Sequence, residues 1–191
     1  MERNLTQKTD RRIIKTRAAI YGALVELMKE NRFETITIQN IANLANVNRG
    51  TIYLHFTDKY NLLDQLIAEK LSELELVFEI QFMQNGICIE DYTPIFQYFQ
   101  DNFDFYSVLL TDSGIVFFHT CLRDTITKIT TIQNKGVRPE GLHVDIVNEM
   151  VASGFSGLIE WWIKNNLDYT PEEMANQMSQ FFQYAFGSRR K

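Results

Sequence analysis

Residues 35–63 read TITIQNIANLANVNRGTIYLHFTDKYNLL, and the spacing inside this stretch decides the fold. Ile38, Ile41, Ala42 and Ala45 recur at i, i+3, i+4 and i+7, the repeat of a helix with one apolar face. Thr37 precedes them with a hydroxyl able to cap free backbone N–H groups. The predicted helix is short, about eight residues. Asn46-Val47-Asn48 follows, polar at both ends and apolar in the middle, after which Arg49 to Phe56 can form a second short helix with Asn48 as its N-cap. Two short helices thus meet across a tight turn. Ala42 and Ala45 are small where the helices must approach, and Ile38, Ile41, Val47, Ile52 and Phe56 can supply the core beneath.

Upstream, Ile13, Arg17, Ile20, Leu24 and Leu27, with Tyr21 and Met28 beside them, keep helical spacing and predict a first helix over residues 9–30. Downstream, Leu62, Leu63, Leu66, Ile67, Leu71, Leu74, Val77 and Phe78 predict a longer fourth helix from Asp58, with Thr57 as its cap. Beyond Gly86, further helices are expected over Tyr92 to Leu110, Ile115 to Gln133, Leu142 to Lys164 and Glu172 to Phe186. Lys135-Gly136-Val137-Arg138-Pro139 reads as a loop. Thr170-Pro171-Glu172-Glu173 reads as a helix start, joining a capping hydroxyl, a proline in the first turn and a glutamate at the capping-box position. No long alternating strand pattern and no fixed-period repeat is present, so the fold class is all-α.

The 191 residues are 45% hydrophobic with three prolines and nine glycines, a globular composition too short for a large multidomain enzyme. The most apolar stretch, Phe105 to Leu122, is interrupted by Asp112 and falls short of a membrane span, which predicts no membrane partner. The charged N-terminus lacks the apolar core of a signal peptide, so a cytoplasmic protein is expected. Cys88 and Cys121 are too few for a disulfide framework or a zinc cage. The net charge of −5 conceals an asymmetry: residues 1–70 carry 11 Lys/Arg against 8 Asp/Glu, the remainder 8 against 16. Within residues 1–17 the balance is six basic to two acidic. A basic arm before an acidic body points to a polyanionic partner.

At Ile41-Ala42, Ala45, Val47, Gly50-Thr51, Tyr53, His55-Phe56, Lys59 and Leu62-Leu63, the quoted stretch resembles the DNA-binding head of the TetR family of bacterial repressors. There a helix-turn-helix is followed by a Gly-Thr-aromatic-Tyr-x-His-Phe-x-x-Lys-x-x-Leu-like run. The likeness covers the first third of the chain. It implies an N-terminal three-helix helix-turn-helix head over residues 1–57 and a larger C-terminal helical body over residues 58–191 for ligand binding and dimerisation, linked by the fourth helix, residues 58–80. The implied function is repression by a homodimer on a palindromic operator in double-stranded DNA, with release by a small apolar or aromatic ligand. No catalytic residue, metal or cofactor is implied.

A recognition helix enters the major groove by its N-terminal end, so Asn48, Arg49, Gly50 and Thr51 should reach the DNA, followed by Tyr53 and Leu54. The Arg49 guanidinium can pair bidentately with guanine O6 and N7. Gly50 permits close backbone approach. Thr37, Tyr53, His55 and Lys59 suit phosphate contacts, and Arg11 and Lys15 of the basic first helix extend the set. Asn46 stands where the family usually has glycine and Asn48 where it often has serine. Asparagine tolerates the left-handed conformation and caps helices, so the fold survives while the operator sequence stays open.

In the body, most aromatics are expected to be core. Phe99, Phe103 and Phe118, with the polar-tipped Tyr106, His119, Cys121 and Trp161, are the candidates for a ligand pocket. Met150, Phe155, Leu158, Ile159 and Trp162 on one helix, and Met174, Met178, Phe181, Phe182 and Ala185 on the last, are expected to form a four-helix bundle across a two-fold axis. Two rival classes stay open. A bundle enzyme is opposed by the scarcity of histidines, the lack of a Gly-x-Ser-x-Gly elbow and a single Glu-x-x-His, Glu140 to His143, where a di-iron site needs two. The stronger rival, a helical adaptor or structural protein that has lost DNA binding, is opposed by the basic first helix with Arg49 and Lys59.

Overall fold

Ile20 and Leu24, one helical turn apart, are fully buried, whereas Ile13 and Ile14 on the same helix are exposed. The apolar stripe expected from Ile13 therefore begins a full turn or more later, because only the second half of the helix has a core to face. A computed structural model describes residues 2–85, 91–111, 116–133 and 143–186, and every regular element among them is helical. The loop at Lys135 to Pro139 and residues 140–142 of the Glu-x-x-His match lie outside the described residues, as does Cys88.

The first helix, α1, is longer than its sequence pattern, Glu2–Glu30. A 3₁₀ turn, Phe33–Thr35, leads to α2, Ile38–Leu44, and α3, Arg49–Tyr53. Helix α4 follows at Lys59–Asn85. Its cap is Asp58 rather than Thr57: Asp58 Oδ1 accepts from the Asn61 N–H at 2.8 Å, and Asn61 Oδ1 accepts from the Thr57 N–H at 3.2 Å. Residues 1–69 and 70–191 form two compact units that divide within α4. The physical reason is burial, since Leu62, Leu63, Leu66 and Ile67 complete the core of the first unit with Ile20, Leu24, Phe33, Ile36, Ile41, Ile52 and Phe56.

In the second unit the single helix expected over Tyr92 to Leu110 is two, α5 at Thr93–Asp101 and α6 at Phe103–Thr111. Apolar spacing runs unbroken through Phe99, Phe103 and Tyr106, but Asn102 interrupts the backbone. Its Nδ2 donates to Tyr98 O at 2.8 Å and its Oδ1 accepts from Lys70 Nζ at 2.8 Å, a side chain competing with the helix ladder. The remaining helices are α7, Val116–Gln133, α8, Val144–Lys164, and α9, Pro171–Phe186. Helix α9 starts as the sequence predicts: Thr170 Oγ1 accepts from the Glu173 N–H at 3.2 Å, and Glu173 Oε2 accepts from the Thr170 N–H at 2.8 Å. Helix α7 packs along α8, α5 along α9 and α6 against α8. At the centre, Phe96 meets Phe155 and Trp162 edge-on or tilted, at ring separations of 5.9 and 5.5 Å.

Candidate nucleic-acid interface

The helix-turn-helix is built by three local devices, each traceable to a residue type. At the start of α2, Thr37 Oγ1 accepts from the Asn40 N–H at 3.2 Å while Asn40 Oδ1 accepts from the Thr37 N–H at 3.0 Å. The capping box is thus closed by asparagine in place of the usual glutamate or glutamine. At its end, the Asn46 N–H donates to Asn43 O at 3.2 Å and the Val47 N–H to Ala42 O at 3.0 Å, with Asn46 at φ 52°. This is a Schellman ending whose left-handed position is filled by asparagine instead of glycine. At the start of α3, Asn48 Oδ1 accepts from the Gly50 N–H at 2.8 Å. A Cβ on residue 50 would lie 3.3 Å from that same oxygen, so glycine lets the cap seat closely.

These devices hold a short helix whose outer side is polar and aromatic. Ile52 and Phe56 are buried beneath it, while Asn48, Arg49, Gly50, Tyr53 and Leu54 are exposed, Leu54 to 82%; Thr51 and His55 are half-buried. The Arg49 guanidinium lies against Tyr53, its Nη2 donating to Tyr53 Oη at 2.8 Å with the charge 5.3 Å from the ring centre. The pair forms one outward unit, as i and i+4 side chains can. Sequence reasoning passed over Gln39 and Asn43, exposed on α2, where Gln39 Nε2 donates to Asn43 Oδ1 at 2.8 Å. Neither sits at an apolar-periodic position, and exposed amides carry no other signal.

The basic residues divide sharply. Arg11 and Lys15, like Arg12, are exposed on α1. Arg17 is turned inward: Nη1 donates to Gln65 Oε1 at 3.1 Å, Nη2 donates to the Tyr21 hydroxyl, and Glu69 Oε2 lies 3.4 Å away, with the charge over the Tyr21 and Phe56 rings. Burial pushes the Tyr21 phenol up to about 12, against the opposing pull of Arg17, so it stays a neutral partner. Lys59 departs most from expectation. Its ammonium donates to the carbonyls of Glu34 at 2.6 Å, Ile36 at 2.9 Å and Phe33 at 3.0 Å, an inward set of partners where its place at a helix start suits a phosphate contact.

The pocket candidates divide between the core and the surface of the body. Phe99, Tyr106 and Phe118 are wholly buried and pack together, Phe99 and Tyr106 at a ring separation of 4.7 Å. Phe103, His119 and Cys121 are half-buried, and Trp161 is 47% exposed and stacked on Tyr169 at 6.0 Å. A polar recess near them, of about 250 Å³, is an open groove between α7 and α8 beside His119, Arg123 and Glu160. Tyr106 is nonetheless unusual: its buried hydroxyl, near Tyr98, makes no hydrogen bond of normal length, and burial pushes its phenol well up.

The residues of the expected dimer face divide in the same way. Phe155, Ile159, Trp162, Met174 and Met178 are buried within the single chain, because their helical stripe faces α5, α6 and α7. Leu158 is half-buried, as is Phe182, which stacks on Tyr92 at 5.8 Å, while Phe181 is 63% exposed; the side chain of Ala185 lies outside those described. Among the described residues no group of His, Cys, Asp and Glu could hold a metal ion, and no helix is long and apolar enough to cross a membrane.

Residues 20–66 match the family described as bacterial regulatory proteins, tetR family, and residues 89–184 match a TetR-type transcriptional regulator C-terminal region. The chain is 20% identical over 186 residues to the Escherichia coli K12 protein named "Probable acrEF/envCD operon repressor", covering 86% of this chain and 84% of the relative. It is 21% identical over 166 residues to the uncharacterized HTH-type regulator YxbF of Bacillus subtilis, covering 84% of this chain but only 43% of that longer protein. Among solved structures, FadR from Bacillus subtilis in complex with stearoyl-CoA superposes with a TM-score of 0.66 at 20% identity, over 86% of this chain and 96% of the other. The matches are to transcriptional regulators and not to enzymes.

Proposed function

Because the chain belongs to the TetR family of bacterial transcriptional regulators, we propose that it is a homodimeric repressor that reads a palindromic operator through α3. The observation that carries this reading is the exposed Arg49–Tyr53 pair on a helix held by the Asn48 cap. Arg49 reads guanine, since its guanidinium leaves only one neutral hydroxyl partner to do so. Asn48, Gly50, Thr51, Tyr53 and His55 with Thr37, Arg11 and Lys15 supply the surrounding contacts. The repressor sense is supported by the name of the Escherichia coli relative.

Dimerisation uses the outward stripes of the last two helices in this reading. On α8 these are Ile146, Met150 at 70% exposure, Gly154, Gly157 and Trp161, and on α9 Phe181 and Tyr184 at 87%. Large apolar side chains so exposed are unusual on a monomer, and the two glycines let a second backbone approach. An apolar ligand carrying a hydrogen-bond acceptor would give the buried Tyr106 hydroxyl a better partner than the neighbouring Tyr98. The acyl-CoA bound by the FadR relative is one such chemistry. Because Phe99, Tyr106 and Phe118 pack against one another, the ligand in this reading selects a minor, opened state.

Selection of bound fragments from genomic DNA at moderate salt tests the core of the reading. Enrichment of a palindrome with half-sites about 34 Å apart or somewhat wider is expected. Recovery of no palindromic site would refute it. A ligand regulates only if its affinity differs with and without operator, and a coupling of about 1–3 kcal/mol would suffice.

A further inference from the structure

Lys59 opens α4, and its ammonium carries three protons facing three carbonyls, those of Phe33, Glu34 and Ile36. Nζ also lies 5.0 Å from the Phe33 ring centre and 5.4 Å from that of Tyr60. The three carbonyls belong to the 3₁₀ turn and the residue after it, the strap that joins α1 to α2. Phe33 and Ile36 are buried on either side of this grip, so the strap is pinned both by its side chains and by its backbone. Helix α2 starts two residues beyond Ile36, and α3 hangs from α2 by the Asn46 turn. The orientation of the whole helix-turn-helix against α4 therefore passes through the strap.

Resting on the reading of this head as a DNA reader, we infer that Lys59 is a positioning residue: its charge holds the Phe33–Ile36 strap against the start of α4 and makes no contact with DNA phosphate. An ammonium is suited to this task because its three N–H bonds diverge toward three acceptors. A guanidinium is a planar fork and cannot reach three carbonyls grouped in this way, although it binds phosphate at least as well. The two roles thus predict opposite behaviour of the same conservative substitution.

The test compares wild type, Lys59→Arg and Lys59→Met for binding to a mixed-sequence duplex of about 30 base pairs, across about 50–200 mM salt. A positioning role predicts that both variants lose roughly tenfold or more in affinity, equivalent to at least one charged hydrogen bond, with the salt slope unchanged. Amide exchange at Thr35 and Ile36 should accelerate in both. A phosphate contact predicts that Lys59→Arg retains wild-type affinity and that Lys59→Met lowers the slope by about 0.9 per head, and that pair of results overturns the inference. A purely stabilising lysine would lower the melting temperature and leave the affinity of the folded variants intact, which also overturns it. Should Lys59→Met not fold, the Lys59 ammonium resonance of the wild-type protein decides: a scalar coupling to ³¹P on DNA addition refutes the strap, and its absence with the signal unmoved supports it. Failure of the wild type to bind any duplex would remove the DNA-reader reading itself, whereas binding with full rescue by arginine removes this inference alone.

Discussion

In the head, Arg49, Tyr53 and Leu54 stand exposed on a five-residue helix, while in the body Phe99, Tyr106, Phe118 and Trp162 are wholly buried. Both regions carry aromatic and polar-tipped side chains at helical spacing, yet one presents them and the other packs them. The difference follows from what fixes each region. Caps and a turn hold the head's outer helix by backbone hydrogen bonds, which frees its side chains for a partner. The body is held by the aromatics themselves, and side chains so used cannot also serve as an interface.

The sharpest way to break this contrast is at the body's exposed stripes, where it predicts surface chemistry. Met150→Glu combined with Phe181→Glu should convert a dimer into monomers, since each carboxylate buried unpaired at an interface costs several kcal/mol. Sedimentation velocity reads the outcome. A folded variant that remains dimeric at micromolar concentration would remove both residues from the interface.

Next in size is the opposite test, at a residue that sequence reasoning assigned to the interface and the structure places in the core. Trp162 is fully buried, meets Phe96 edge-on and donates from Nε1 to Tyr169 O at 2.9 Å. Trp162→Ala should lower unfolding stability by about 3–5 kcal/mol in urea titration. If the loss depended on protein concentration, Trp162 would be acting across a subunit boundary instead.

How much was legible in the sequence follows the same division. Thr37, Asn48, Thr170 and Glu173 announced their helix starts because a cap is a local event, decided within three residues of chain. Asn46 was readable as a left-handed turn for the same reason. Local reading could not show which way an apolar stripe faces, so Phe155, Ile159, Met174 and Met178 passed for a dimer face. Asn102 was hidden by unbroken apolar spacing around it, and its partner Lys70 lies 32 positions away. For Lys59 the sequence shows a helix start but not its partners Phe33, Glu34 and Ile36, which are brought to it only by the packing of α1 and α2.

A smaller effect is expected where the head's exposure is put to use. Arg49→Ala should cost about 1–3 kcal/mol of operator affinity and relax base preference at one position of each half-site. Its effect on unfolding should stay within about 0.5 kcal/mol, as for other surface changes. Tyr53→Phe, which keeps the ring and removes the hydroxyl that holds Arg49, should change affinity less. A uniform loss across all sequences would make Arg49 a phosphate contact.

The smallest effect concerns the body alone. Glu160 on α8 joins His119 Nδ1 on α7 at 3.2 Å and Lys164 Nζ on its own helix at 2.5 Å. Burial alone would raise its carboxyl, but the Lys164 hydrogen bond and the His119 and Lys164 charges outweigh that and hold it below the ordinary carboxylate value of 4.5. A carboxyl lowered on folding favours the native state at every pH above its unfolded value. As pH falls through the lowered folded value the advantage disappears, because both states are then protonated. Glu160→Gln should therefore be less stable than wild type at neutral pH, with the gap closing at acid pH below the ordinary carboxylate range. Urea midpoints at the two pH values measure it. A gap that persists unchanged in acid would mean that the substitution acts through packing and not through charge. A change in DNA affinity at neutral pH would go further, since a residue confined to the body would then be altering what the head presents.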